Sequence, residues 1–257
     1  IRSQAGGGQY IECLMAGFPL FNQWRERLPS QCAICASWPS RPVCEACVAR
    51  FAPPVPRCRT CALPVPDGTS HCGECLRRAP PLDACLACCD YAWPWAGQIG
   101  QFKFRGEAGW ATPMATLMRS APWVEPTLDK ADFVLPMPLA PQRLRGRGFN
   151  QALELARRLA PAKVDARLLL RTRETPAQSG LPRASRLSNL QGAFALEPAR
   201  AHMLAGRHVV LVDDVMTSGA SLFTAAKVLR EAGAAHVAAL LFARTDKPAA
   251  AGWFAGR

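Results

Sequence analysis

The chain has 257 residues, of which 49% are hydrophobic and 19% charged, and its formal net charge is +12. A chain of this length can bury a hydrophobic core. No apolar run approaches the roughly 18 residues of a membrane span, and the opening residues lack the pattern of a secretory signal. We therefore expect a cytoplasmic protein. The basic excess favours a polyanionic partner such as a phosphorylated metabolite or a nucleic acid.

Residues 1–30 predict a short helical lead-in that ends at Pro29, and residues 31–80 carry four C-x2-C pairs. A two-residue gap lets a tight turn bring both sulfurs to one side, and two such turns close a site of four thiolates. We therefore predict structural zinc in a double zinc ribbon. The predicted ligands are Cys32, Cys35, Cys44, Cys47, Cys58, Cys61, Cys72 and Cys75.

Disulfides, an iron–sulfur cluster or a redox pair are the alternatives for these cysteines, but without a secretory signal the thiols should stay reduced. The segment has few long apolar residues, so metal would supply most of its stability. Spacing leaves open whether the pairs combine in sequence order or cross-braced. Cys85, Cys88 and Cys89 form a surplus cluster that we interpret as buried or idle thiols, and Cys13 is interpreted as a core residue.

From about residue 90 the cysteines stop and strand and helix patterns alternate, which predicts a domain over 90–246 and a tail over 247–257. The predicted strands are 132–140, 208–212 and 236–243, and the predicted helices are 149–160 and 221–233. Gly233 is placed to end the second helix. The last three elements predict a β–α–β unit.

Residues 209–221 read VVLVDDVMTSGAS, an apolar run that ends in Asp213 and Asp214 and then turns into a loop of small and hydroxyl residues. A loop between a strand end and a helix N-terminus suits phosphate, because unpaired amides and the helix dipole attract anions. The two acids would repel that phosphate and suit sugar hydroxyls or a divalent cation instead. Together these features indicate a phosphoribosyl group, and the alternative is an ordinary strand-to-helix turn with an acidic N-cap.

This stretch resembles the phosphoribosyl pyrophosphate (PRPP) binding motif of type I phosphoribosyltransferases. The wider layout, with cysteine-pair ribbons before such a domain, resembles the ComF family of bacterial competence and DNA-utilisation proteins. The supporting motifs are FKFRG (102–106), LPMPLAPQRLRGRGFNQA (135–152) and TPAQSGLPRASRLSNLQGAF (175–194). The resemblance implies an α/β type I phosphoribosyltransferase fold, a parallel sheet flanked by helices, preceded by a small four-cysteine zinc-ribbon domain.

The resemblance also implies residue roles. Asp213 and Asp214 would hold the ribose 2′- and 3′-hydroxyls, and the 5′-phosphate would lie on the loop. The loop residues are Thr217, Ser218, Gly219, Ala220 and Ser221. Arg147 and Arg143 are our candidates for the pyrophosphate, which PRPP carries with Mg²⁺, because the guanidinium fork binds phosphate oxygens in pairs. The alternative for these arginines is a solvated basic loop.

Two further sets of basic residues are weaker candidates for the same ligand. The segment 175–189 resembles the one that closes over the site in type I enzymes, and it contains Arg183 and Arg186. Closure would exclude water from an oxocarbenium-like transition state. Lys103, in the FKFRG motif, is a weaker candidate for the same site.

Two functions follow from the resemblance. As an enzyme, the protein would use Mg²⁺ and arginines while an unspecified acceptor displaces pyrophosphate at C1′ of PRPP. As a non-catalytic factor, it would sense PRPP and bind single-stranded DNA in natural transformation, alongside competence or recombination proteins. Tyr91, Trp93, Trp95 and Phe102 would then stack on bases, or else belong to the core. A purely structural zinc-ribbon adaptor is a third interpretation.

Overall fold

The computed structural model describes residues 30–173 and 192–246. Contacts divide the chain into two compact units, Ile1–Cys47 and Val48–Arg257. In the first unit, Ser30 and Ser40 form an antiparallel bridge, and the turn that follows Ser30 carries the first cysteines. The predicted lead-in, the tail and Cys13 lie outside the described residues.

A parallel four-stranded sheet with strand order β1-β6-β5-β2 forms the centre of the second unit, and a separate antiparallel pair joins β3 to β4. The strands are β1 Ala84–Asp90, β2 Phe133–Pro136, β3 Leu169–Arg171, β4 Phe194–Leu196, β5 His208–Met216 and β6 His236–Arg244. Residues 209–212 of β5 are fully buried, as expected of a strand covered on both faces. This confirms the predicted β–α–β unit, in which β5 and β6 pair in parallel.

The described residues form eight α-helices. They are α1 Glu45–Phe51, α2 Gly73–Arg77, α3 Trp95–Phe104, α4 Ala111–Ser120, α5 Val124–Lys130, α6 Pro141–Arg147, α7 Gln151–Leu159 and α8 Ala220–Glu231. Short 3₁₀ turns cover Ala108–Trp110, Pro161–Lys163 and Ala201–Leu204. The side chain of Asn150 caps α7 by accepting a hydrogen bond from the backbone N–H of Leu153. Gly233 follows α8 with a φ of +90°, which confirms its predicted role at the helix end.

Strands β2 and β5 differ from their predicted bounds. Strand β2 covers 133–136 rather than 132–140, because the prolines at 136 and 138 have no N–H for strand pairing. Strand β5 continues past residue 212 to Met216, because its pairing with β6 persists through Asp213↔Leu241 and Val215↔Ala243. The two acids therefore lie within the paired end of the strand, which fixes their backbone. The basic stretch 142–148, for which a solvated loop was the alternative interpretation, lies mostly in helix α6, which has a proline at its first position.

The sheet topology places several loops at one edge. Strands β2 and β5 pair in parallel with Pro136 opposite Val212, so both chains leave the sheet at the same carboxyl end. The segment after β2 leads into α6, and the segment after β5 leads into α8. Open α/β sheets bind ligands at this edge.

Candidate functional site

The first unit gathers one set of four cysteines. The sulfurs of Cys32, Cys35, Cys44 and Cys47 all lie within 4.8 Å of one another. The sulfurs of Cys35 and Cys44 are 3.6 Å apart, close to the edge of about 3.8 Å that a tetrahedron with zinc–sulfur bonds of about 2.3 Å requires. A hydrogen bond from Ser37 lowers the pKa of Cys35 to about 6, which favours the thiolate that binds metal.

The second unit gathers the other set. The sulfurs of Cys58, Cys61, Cys72 and Cys75 likewise lie within 4.8 Å of one another, so the cysteines group in sequence order. Burial raises the pKa of Cys58, but backbone hydrogen bonds from Cys72 and Thr60 outweigh it and bring the pKa to about 6. Burial raises the pKa of Cys61 far above its ordinary value. The mutual distances of the four sulfurs suit a divalent cation.

The surplus cysteines lie on β1. Cys85 and Cys89 are buried, and the Cys89 thiol donates a hydrogen bond to the carbonyl oxygen of Phe242 at 3.3 Å. Cys88 is half-buried. Among the described residues none of the three belongs to a group with metal-ligand geometry, in agreement with their interpretation as buried or idle thiols.

The loop 217–221 joins β5 to α8 and lines a small cavity of about 50 Å³ together with Asp213 and residues 215, 216 and 222. Gly219 has a φ of +79°, and a Cβ there would lie 2.3 Å from Cε of Met216 and 2.6 Å from Cζ of Phe223. Only glycine fits this position without displacing those side chains. The loop therefore brings bare backbone and the hydroxyls of Thr217, Ser218 and Ser221 to the N-terminus of α8.

The two acids at the end of β5 differ in their surroundings. Asp214 is buried, and its Oδ1 atom is 2.9 Å from Nζ of Lys103 on α3. Its Oδ2 atom is buried without a hydrogen-bond partner among the described residues. Asp213 is half-buried, and its Oδ1 atom accepts a hydrogen bond from the N–H of Asp214 at 2.9 Å. An unpaired buried carboxylate oxygen is costly, and a sugar hydroxyl or a divalent cation would satisfy it.

Burial and the neighbouring charge of Asp214 raise the pKa of Asp213 to about 7, although Lys103 opposes the shift. A carboxyl group with such a raised pKa in the lining of a cavity at a strand end is typical of functional sites.

Helix α6 brings its arginines toward the same edge. Arg147 donates a hydrogen bond to Oε1 of Gln151 at 3.0 Å and lies 5.4 Å from the ring centre of Phe104. Its positive charge also lowers the pKa of Asp213, so it acts across the site. Arg143 lies one turn earlier on the helix, and both side chains are half-buried. Gln151, which holds Arg147, was not singled out from the sequence, although its i+4 spacing from Arg147 was a usable signal.

The four candidate aromatic residues divide into two groups. Trp95 and Phe102 are fully buried on α3, so they belong to the core. Trp93 is 71% exposed and Tyr91 is 41% exposed. Arg183 and Arg186 lie outside the described residues.

Residues 145–252 match the family model described as "Phosphoribosyl transferase domain". The chain is 33% identical to the DNA utilization protein YhgH of Escherichia coli O6:H1 over 210 residues, 79% of this chain and 90% of the relative. It is 30% identical to competence protein F of Haemophilus influenzae over 71% of this chain and 82% of the relative. It is also 34% identical to competence protein ComFC of Streptococcus pneumoniae, over 39% of this chain and 43% of the relative.

The chain belongs to the ComF family. As a ComF protein it combines a phosphoribosyltransferase-type domain, built on a parallel sheet with flanking helices, with cysteine groups that fit a zinc ribbon. This confirms the predicted fold class. Within the part of the ComF chain that the structure describes, no helix has the length and hydropathy to cross a membrane.

Proposed function

We propose that this protein binds PRPP with Mg²⁺ at the loop 217–221 and transfers its phosphoribosyl group to an acceptor. One observation carries the proposal. A buried carboxylate, Asp214, has an unsatisfied Oδ2 at the end of the strand that leads into a loop with a left-handed glycine at a helix N-terminus. A ligand that is anionic at one end and carries hydroxyls at the other satisfies both features at once.

The 5′-phosphate would lie on the loop. Helix α8 runs from Ala220 to Glu231, long enough for a developed dipole at its N-terminus. The unpaired amides of a helix N-terminus attract phosphate oxygens, and here the N–H of Ala220 donates only a long hydrogen bond of 3.4 Å to the hydroxyl of Ser218. Hydroxyls of Thr217, Ser218 and Ser221 would donate the remaining hydrogen bonds.

The ribose diol would lie on the two acids, with Oδ2 of Asp214 accepting from one hydroxyl. Nζ of Lys103 contacts Oδ1 of Asp214, which leaves Oδ2 free to accept that hydrogen bond. When bound, Mg²⁺ would neutralise oxygens of the pyrophosphate and stabilise the charge that develops on it. Carboxylate oxygens are ligands that this ion accepts, so the acid pair fits it.

Arg147 and Arg143 would hold the pyrophosphate. In the proposed transfer a lone pair of the acceptor forms a bond to C1′ while the bond from C1′ to the pyrophosphate oxygen breaks. The electron pair of that bond leaves with the pyrophosphate, and the acceptor loses its proton to solvent or to the leaving group. Guanidinium groups fixed at the leaving oxygen stabilise its charge without reorganisation. These residues do not specify the acceptor.

The test is calorimetric titration of the zinc-loaded protein with PRPP and Mg²⁺, followed by pyrophosphate release with a panel of nucleobases. We expect binding, and we expect Gly219→Ala to weaken it at least about 10-fold, because the added Cβ displaces Met216 and Phe223 and closes the loop. Gly97→Ala is the matched control, because a Cβ at that exposed helix position meets nothing within 4 Å. Absence of heat with the wild-type protein would refute PRPP binding, and binding without turnover would leave a sensor rather than an enzyme.

Single-stranded DNA binding is the second candidate function, and a groove favours it. The groove has a volume of about 870 Å³ and runs along the amino-terminal halves of β1, β5 and β6, away from the loop 217–221. Its basic and imidazole-bearing lining residues are Arg57, Arg59, Lys130, His208 and His236. Trp123, which also lines it, is 73% exposed, and no acidic side chain is among the described lining residues. A basic groove beside an exposed aromatic ring suits a strand of stacked bases.

For this candidate, Lys130→Glu combined with Arg59→Glu should lower the affinity for a fluorescent oligothymidylate about 10-fold or more. It should also flatten the dependence of affinity on salt, because each lost phosphate contact removes about 0.7 from the logarithmic slope. Fluorescence anisotropy at several salt concentrations measures both effects. Lys227→Glu combined with Arg157→Glu, at exposed positions of α8 and α7, changes the net charge by the same amount and is the control. Equal losses in both variants would show non-specific attraction and remove the groove as a DNA site.

A further inference from the structure

Arg244, the last residue of β6, is a buried arginine that holds carbonyl oxygens from three parts of the second unit. Its side chain is 4% exposed. Its Nε donates to the carbonyl oxygen of Cys61 at 2.8 Å, and its Nη1 donates to the carbonyl oxygen of Met216 at 3.0 Å and to that of Thr217. The same Nη1 reaches the carbonyl oxygen of Thr245 at 2.6 Å. Burying a guanidinium is expensive, so a site that satisfies it with carbonyl oxygens indicates a specific structural demand.

The carbonyl groups of Met216 and Thr217 determine the backbone orientation at the start of the loop 217–221. Across a trans peptide bond the C=O and the following N–H point in opposite directions. When Arg244 draws the carbonyl of Thr217 inward, the N–H of Ser218 therefore faces outward. The carbonyl of Met216 orients the N–H of Thr217 in the same way. Successive outward amides form the kind of concavity that binds an anion.

The third carbonyl belongs to Cys61, one of the four cysteines of the second metal-ligand group. That group also shares the hydrophobic core with the start of the loop, because Cys58, Cys61 and Cys75 cluster with Met216. In addition, the thiol of Cys85 on β1 lies 3.9 Å from the sulfur of Met216. A shift in the backbone at Cys61 would therefore reach the loop both through Arg244 and through packed side chains.

We propose that Arg244 is a positioning residue that couples the metal in the second cysteine group to the anion-binding loop, so that ligand affinity depends on whether that group holds metal. The proposal rests on the proposed function for the identity of the ligand, but not for the order of the loop. A bound metal would hold the backbone of the turn at Cys61 in place. The carbonyl oxygen of Cys61 then holds Nε of Arg244, and the guanidinium group orients the amides of the loop.

The test compares Arg244→Lys and Arg244→Gln with the wild-type protein. Lysine keeps the charge, but its single nitrogen cannot span the carbonyls that the planar fork holds. We expect amide hydrogen exchange at residues 217–219 to become about 10-fold faster in the ligand-free variants, and PRPP affinity measured by calorimetry to fall about 10-fold. Zinc content should stay unchanged. The matched control is Arg230→Lys, in the last turn of α8, where Arg230 also donates to backbone carbonyls, those of Ala234 and Ala235.

A second arm changes the metal group itself. Cys72→Ser, at a half-buried ligand, should speed exchange in the loop 217–221 in a protein that keeps Arg244. If that variant does not fold, removal of zinc from the wild-type protein with a chelator, followed by the same exchange measurement, tests the dependence on metal. Unchanged loop exchange in Arg244→Lys with unchanged zinc content would overturn the proposal. If the wild-type protein does not bind PRPP, the proposed function fails, but the exchange measurement still tests the coupling.

Discussion

Replacing Asp213 with asparagine should stabilise the ligand-free protein and at the same time weaken its binding of PRPP. Burial and the charge of Asp214 raise the pKa of Asp213 to about 7, whereas in the unfolded chain the group ionises near its ordinary value of 3.8. As pH rises from about 4 to about 7, the unfolded state therefore loses its proton before the folded state does, and the folded state loses stability. Above about pH 7 the full penalty remains.

Asparagine removes this penalty and keeps an oxygen that can accept the hydrogen bond from the N–H of Asp214. A shift of this size corresponds to about 4 kcal/mol at most, and partial exposure of the side chain reduces the expected gain to about 1–2 kcal/mol at pH 8. Urea denaturation of both proteins at about pH 8 and about pH 5.5 measures it, and the gap should be larger at the higher pH.

The loss of binding comes from the same substitution. A charged acceptor of a diol hydrogen bond contributes about 1.5–3 kcal/mol, so PRPP affinity should fall about 10-fold to 100-fold. Asp129→Asn is the control, because Asp129 lies exposed at the end of α5. If Asp213→Asn destabilises the protein and leaves affinity unchanged, the acid is an ordinary structural residue of the strand end.

The sequence was sufficient for the parts of the fold that local patterns determine. The unbroken apolar runs predicted β5 and β6 because a parallel strand is covered on both faces. The glycine and hydroxyl residues predicted a loop at 217–221 because only such residues let backbone approach a ligand closely. Both features depend on neighbours in the sequence.

Features that depend on distant parts of the chain were harder to predict. Lys103 was a weak candidate, yet α3 places it 2.9 Å from Asp214, far along the chain. The end of β5 was predicted too early because its last residues are held by pairing with β6 rather than by their own propensity. The buried position of Arg244 could not be predicted from the sequence, because a charged residue at the end of an apolar strand usually lies at the protein surface.

The two cysteine groups should differ in their effect on stability, although their spacing patterns are alike. Cys35 is exposed and belongs to the first compact unit, whereas Cys61 is 4% exposed and clusters in the hydrophobic core with Met216 and Leu241. We expect the wild-type protein to hold about two zinc ions, and Cys35→Ser and Cys61→Ser each to lose about one.

The melting temperature should separate the two variants. Loss of the second metal frees cysteines that pack in the hydrophobic core of the second unit. We expect this to lower the free energy of unfolding by on the order of 3 kcal/mol and the Tm of the unit by about 10 °C. Loss of the first metal should unfold only the small first unit and shift the main transition by about 2 °C or less. Zinc release measured with a colorimetric chelator, together with calorimetric melting, checks both values. Equal shifts of the main transition in the two variants would contradict the predicted difference between the groups. A wild-type protein without bound zinc would contradict both metal sites, because a bound cation is the reason we give for the close approach of four thiols.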